Sequence, residues 1–236
     1  MTDLFDAIST ALNLVTRLDA DLVEIVGLSL FVSLSAVAAA SIFGLPLGAA
    51  VAMFRFPGRG AVVVLLNGLM GLPPVVVGLV VYLLLSRAGP LGVFGLLFTP
   101  TAMIIAQTLL VLPIVAALAR QLTDGLWAEY REQLHSLGVG PGRAVATVLW
   151  DGRFGLATVV LAGFGRASAE VGAVMIVGGN IDHVTRMMTT AIAMETSKGD
   201  LALALALGLI LITISITVNG AAFALGAATG PEPQAP

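Results

Sequence analysis

Cysteine is absent from this chain, which excludes disulfides, thiolate zinc sites and cysteine nucleophiles together. Histidine is almost absent. His135 and His183 stand far apart without metal-ligand spacing, so they read as surface polar residues and no metal site is expected. Charge is scarce as well. Only 11% of the 236 residues are Asp, Glu, Lys or Arg, where soluble domains carry about a quarter. That is too little to solvate a globular surface. The formal charge of −3 supports neither nucleic-acid binding nor a basic lipid-binding arm.

What fills the chain instead is hydrophobe, 58% of residues, with a mean hydropathy of +1.03. A helix needs about 20 apolar residues to cross the hydrocarbon core. Val26–Phe54, Ala61–Leu85, Phe94–Leu118 and Leu201–Leu225 meet that requirement without a charge, and Phe154–Val177 meets it except for Arg166 and Glu170. The runs lack the alternation of a transmembrane barrel. The expected fold is therefore an all-α integral membrane bundle of about five main spans, with lipid as part of its solvent. Gly44 and Pro46 are expected to break the first span, Gly71, Pro73 and Pro74 the second, and Pro113 to kink the third.

Residues 1–25 form an acidic N-terminal segment without the basic region of a cleavable signal peptide. Phe5, Ile8, Leu12 and Val15 recur at helical spacing, so residues 3–18 read as an amphipathic helix that lies on the membrane surface or packs against the bundle. The bundle itself spans 26–222. Residues 223–236 comprise the end of the last helix and a tail too rich in proline to pack, expected to be disordered.

Residues 120–153 form a long polar hairpin between two spans. Gln121–Leu137 reads as a helix with Leu122, Leu126, Tyr130, Leu134 and Leu137 along one face. Gly138, Gly140 and Gly142 then break the chain, and Arg143–Trp150 starts a second helix. With this hairpin inside, Arg55, Arg59, Arg120, Arg131, Arg143 and Arg153 face the cytoplasm, against Arg17, Arg87, Arg186 and Lys198 outside. The orientation read from this bias is N-terminus out and C-terminus cytoplasmic, in a multi-pass protein of the cell (inner or plasma) membrane. No strand precedes the glycines and no Lys-Ser/Thr follows them, so a nucleotide-binding loop is excluded.

Four stretches carry a resemblance. Glu132 and Gly138, with Val148 ten residues on, match the Glu, the Gly and the first aliphatic position of the Glu-Ala-Ala-x-x-x-Gly loop of ABC-importer permeases; both alanines and the Leu-Pro are missing. Gly165–Ile181, Thr185–Leu201 and Gly71–Gly78 resemble segments of the oxyanion permeases for sulfate, molybdate and tungstate, and are most similar to the tungstate type. The resemblance implies a permease that works as a homodimer. It implies a cytoplasmic ABC ATPase dimer as partner, with ATP and Mg held there and no cofactor in this chain, and an extracytoplasmic binding protein that delivers the anion. It also implies that Glu132, Gln133, Ser136, Leu137 and Gly138 couple to the ATPase.

Within the bundle, Arg166 and Glu170 are four apart and so share a helical face, as a structural ion pair or as pathway charges. The stretch Met187–Met194 is apolar enough to dip back into the membrane. Asn180, Thr189 and Thr190 offer neutral hydrogen bonds to a tetrahedral oxyanion, or else cap helices; Met187, Met188 and Met194 suit an apolar gate or packing surface. The expected function is the permease subunit of an ATP-driven oxyanion importer, tungstate foremost. Molybdate or sulfate import and an ion-coupled secondary carrier are the alternatives. A carrier usually shows inverted repeats, and none is evident. A membrane enzyme needs a cluster of acids or histidines, which Glu170 alone does not supply.

Overall fold

The computed structural model describes Ser9 and residues 20–229. The expected amphipathic helix over 3–18 and the tail over 230–236 lie outside the described residues, Ser9 excepted. Among the described residues there are nine α-helices and no strand. They are α1 (Ala20–Met53), α2 (Arg59–Leu69), α3 (Pro74–Leu85), α4 (Pro100–Ser136), α5 (Pro141–Asp151), α6 (Arg153–Ser168), α7 (Gly172–Gly178), α8 (Met188–Lys198) and α9 (Leu201–Thr229).

Three helices, α1, α4 and α9, are each long and apolar enough to cross a membrane alone. The expected second span is two helices, α2 and α3, bent by 102°. Consecutive prolines explain the bend. Pro74 forces the preceding residue out of helical geometry, and Pro73 is extended at ψ 123°. The isolated prolines behave differently. Pro46 and Pro113 each remove one rung of the hydrogen-bond ladder, yet α1 and α4 continue through them; the expected break at Gly44 and Pro46 does not occur. The span expected at Phe154–Val177 also divides, into α6 and the short α7, at Ala169–Val171.

The polar hairpin differs from expectation in one respect that matters for function. No new helix begins at Gln121. The third span and the first hairpin helix are a single helix, α4, of 37 residues. At 1.5 Å per residue that is ~55 Å, far more than the ~30 Å hydrocarbon core, so its C-terminal end must project into water.

α1 and α4 form the spine. Ala36, Ala40, Gly44 and Gly48 recur every fourth residue on α1, all buried, and this small-residue stripe lets the α4 backbone approach closely. Val37 and Ala40 share a buried cluster with Val111 and Val115 of α4 and Val159 and Phe164 of α6. A second cluster joins Val32, Val81, Met103, Ala106, Val174 and Val177 across α1, α3, α4 and α7. Large apolar side chains such as Phe31, Phe43, Leu79, Leu83, Ile212 and Ile216 are exposed, as a lipid-facing or subunit-facing exterior requires.

The spine yields a test. A Cβ on Gly48 would collide with the Ala116 carbonyl oxygen and lie 2.8 Å from the Arg120 backbone nitrogen, whereas one on Gly27 meets nothing within 4 Å. Gly48→Val is expected to lower detergent-solubilised stability by about 1–3 kcal/mol or more. Gly27→Ala is expected to leave the melting temperature unchanged or slightly raised, as a thermal-shift assay on the two variants will report.

Candidate functional sites: an exposed hairpin and a broken helix

The hairpin tip is set by its backbone. α4 ends at Leu137 and Gly138 takes φ +64°, a left-handed conformation that glycine adopts without steric cost. Its N–H donates to the His135 carbonyl and that of Val139 to the Leu134 carbonyl, both at 3.0 Å, which closes a Schellman cap. Leu134 is buried with Met53, Ala144 and Val148, and Leu126, Trp127, Tyr130 and Val139 pack around them. This apolar plug fixes the angle between α4 and α5.

Leu137 is not part of the plug. It continues the apolar face of Leu126, Tyr130 and Leu134, but it is the C-cap of the helix and is 76% exposed. The Glu132 carboxylate is 87% exposed, Gln133 and Gly138 are exposed, and the Ser136 hydroxyl only returns to the Gln133 carbonyl at 2.8 Å. The five coupling candidates therefore share one solvent-facing tip. Next to it α5 turns Arg143 and Trp150 outward. Sequence reading did not single these out, although the buried pair Ala144 and Val148 leaves both residues off the packed face.

Arg59 links the first loop to the hairpin end of α4. Its guanidinium donates to the Val51 carbonyl at 2.7 Å and the Ala52 carbonyl at 3.3 Å, capping the end of α1, and to Asp124 at 3.1 Å. Arg120 donates to the same carboxylate. The loop holding Arg55 and Arg59 thus lies at the same end of the molecule as the hairpin, as the arginine distribution requires. Between them opens a cavity of about 530 Å³ whose lining includes Phe54, Arg55, Trp127, Arg131 and His135.

The broken helix forms the second site. Arg166 and Glu170 do pair, at 2.7 Å, but not on the face of a continuous helix. Glu170 lies in the break between α6 and α7, 2% exposed, while Arg166 is 30% exposed. The other carboxylate oxygen of Glu170 accepts the Ala173 N–H at 2.9 Å, serving one of the unpaired donors at the start of α7. The Thr189 hydroxyl donates to the Glu170 carbonyl at 2.7 Å. Arg166, Glu170 and Thr189 are thereby brought together.

The remaining candidates are placed elsewhere. Thr190 accepts the Met187 N–H at 3.0 Å, and Met187 is buried in the cluster of Met103 and Val174. The Asn180 amide donates to the Met194 sulfur at 3.2 Å, just after Gly179 closes α7 in a left-handed conformation. α8 is an 11-residue helix, ~16 Å long, about half the thickness of a bilayer core. Its first N–H, that of Met188, donates to the Ser29 hydroxyl on α1 at 2.7 Å, a contact not anticipated from the sequence, where Ser29 is one of several serines in the apolar run.

At the opposite end from the hairpin, His183 lies 2.9 Å from Glu24. The hydrogen bond and charge of Glu24, followed by the charge of Asp182, raise the His183 pKa above the usual imidazole value. The ionic part of the link between α1 and the 181–186 loop is therefore present while His183 is protonated and Glu24 ionised, and fades as pH rises through that raised value.

No family model matches the chain. Individual proteins do. A probable anion ABC transporter permease protein from Haloferax volcanii is 43% identical over 76% of this chain and 80% of its own length. The tungstate uptake system permease protein TupB of Peptoclostridium acidaminophilum is 41% identical over 91% of this chain and 94% of its own. That of Campylobacter jejuni is 39% identical over 84% and 83%. Sulfate and molybdenum transport permeases match at 30% identity and below. Among the described residues the chain is all-helical, with three helices, or up to five counting each bent pair as one, long and apolar enough to cross a membrane, and the relatives it matches over most of their length are membrane transport permeases. The chain belongs to the ABC transporter permease family.

The Arg166–Glu170 pair makes a directional prediction. Removing one partner of a buried pair costs about 3–5 kcal/mol, because the other charge is left uncompensated. Since Glu170 is the more deeply buried, Arg166→Met is expected to destabilise more than Glu170→Gln. The double variant is expected to recover part of the loss. Additive losses in a double-mutant cycle read by thermal unfolding would show that the two charges do not interact.

Proposed function

We propose that the chain is the translocation subunit of an ATP-driven importer for a tetrahedral oxyanion, tungstate foremost. It acts as a homodimer, with N-terminus outside and C-terminus in the cytoplasm. The observation that carries this reading is the continuity of α4. One helix runs from the bundle interior to an exposed, glycine-capped tip bearing Glu132, Gln133, Ser136, Leu137 and Gly138. A cytoplasmic ATPase dimer holds that tip, and closure of its subunits around ATP displaces it. Because α4 and α1 are packed along a small-residue stripe, the displacement moves the bundle as a body about its breaks.

The two relatives named for tungstate uptake favour that anion. Arg166 gives the passing dianion positive potential. Glu170 moderates it, because a transit site must release what it binds. Met187, Thr189, Thr190 and Asn180 belong to the wall or gate of the pathway. In the conformation described here the Thr189 and Thr190 hydroxyls and the Asn180 amide each donate within the chain, so the anion gains them only when the segment around α8 shifts. An external binding protein performs the discrimination between tungstate, molybdate and sulfate.

Uptake by proteoliposomes tests the proposal. With the ATPase and binding protein present, tungstate accumulation is expected to require ATP hydrolysis and to exceed that of molybdate and sulfate. Accumulation without the ATPase would instead indicate an ion-coupled carrier, and a preference for sulfate or molybdate would reassign the substrate.

A further inference from the structure

Gln107 lies on α4 with no exposed surface at all. Its neighbours along the helix, Met103, Ala106, Leu110 and Val111, are all in apolar clusters. Its Nε2 donates to the Ala167 carbonyl of α6 at 3.1 Å, and its Oε1 has no hydrogen-bond partner among the described residues. An amide is a poor choice for packing alone at such a position. One of its polar atoms is desolvated without compensation, and an apolar side chain of the same volume would avoid that cost.

The carbonyl that Gln107 holds is not an ordinary rung of a helix. Ala167 is one residue from the end of α6, and the same oxygen accepts the Glu170 N–H at 3.2 Å. It is thus the last anchor of the chain before the break. The next residue, Ser168, has a buried hydroxyl that is also unpartnered. It faces a small cavity shared with Ser29, Ser33 and Thr189. Two unused polar groups therefore flank a single hydrogen bond at the one place where α6 ends and α7 begins. Such an arrangement leaves donors and acceptors free for a second geometry of the break.

We propose that Gln107 is a positioning residue that ties the α6–α7 break to α4, so that movement of the hairpin tip is transmitted to the segment carrying Glu170. This rests on the ATP-driven importer reading. α4 is helical without a gap from Gln107 to Ser136, ~44 Å of continuous helix, and Gln107 is the hydrogen bond by which that helix grips the break. Arg166 and Thr189 secure Glu170 from α6 and α8; Gln107, on the helix that reaches the tip, holds the Ala167 carbonyl three residues before it.

The test uses the full transporter in proteoliposomes, with ATP hydrolysis and tungstate uptake measured together. Wild type is assayed first: failure of ATP-dependent uptake there overturns the importer reading, before any variant is compared. In Gln107→Met, hydrolysis is expected to stay within about two-fold of wild type while uptake per ATP falls about ten-fold or more. Gln107→Glu, isosteric with the amide and a donor to the Ala167 carbonyl in its acid form, is expected to restore most of the ratio. Unchanged uptake per ATP in Gln107→Met overturns the proposal. So does a parallel fall of hydrolysis and uptake, the mark of a merely structural contact. If Gln107→Met fails to assemble, Gln107→Asn, one methylene shorter, is read by the same ratio. Failure of both to assemble also counts against the proposal, since it makes the amide a folding contact.

Discussion

Lipid offers no hydrogen bonds, so any interruption of a helix inside the bundle must be repaired by the chain's own side chains. The gap between α6 and α7 shows how completely that constraint shapes this protein. Glu170 lies in the gap with one carboxylate oxygen on Arg166 and the other on the first turn of α7. Thr189 takes its carbonyl, and Gln107 takes that of Ala167. Each repair comes from a different direction, which makes the gap a junction between α4, α6, α7 and α8. A membrane span without such a gap would need none of these polar residues and would have nowhere to flex.

The proposed importer mechanism requires the rest of the architecture to carry motion to that junction. α1 and α4 lie against each other along Ala36, Ala40, Gly44 and Gly48, and their far ends are fastened by Arg59 and Arg120 on Asp124. Beyond that fastening the apolar plug of Met53, Leu134, Ala144 and Val148 sets α5 at a fixed angle. The tip is therefore stiffly connected to the bundle and openly displayed to water. Stiffness without display would leave nothing to push, and display without stiffness would dissipate the push in the loop.

Some of this can be read directly in the residues. Run length alone finds the apolar segments, and Gly138 after a helical stretch announces the turn that its positive φ requires. Other features escape for physical reasons. Hydropathy is blind to whether an apolar run is one helix or two, so Phe154–Val177 reads as a single span and Arg166 and Glu170 as neighbours on its face. Their bond forms, but across a helix end. Proline content misleads in the opposite sense: Pro46 and Pro113 are absorbed because only one rung is lost, while the pair Pro73–Pro74 is not. Leu137 fits the apolar periodicity yet projects into solvent, since periodicity carries no information about where the helix stops. Gln107 is one polar letter in a hydrophobic run, and its importance depends on a carbonyl sixty positions away.

The central claim is mechanical and topological: the tip around Glu132 faces the cytoplasm, where a motor can reach it. Because the chain has no cysteine, Leu137→Cys places a single thiol on that tip. A membrane-impermeant maleimide should leave it unlabelled in intact cells and label it in inside-out vesicles. Labelling in intact cells, with protection in the inverted vesicles, would contradict the account.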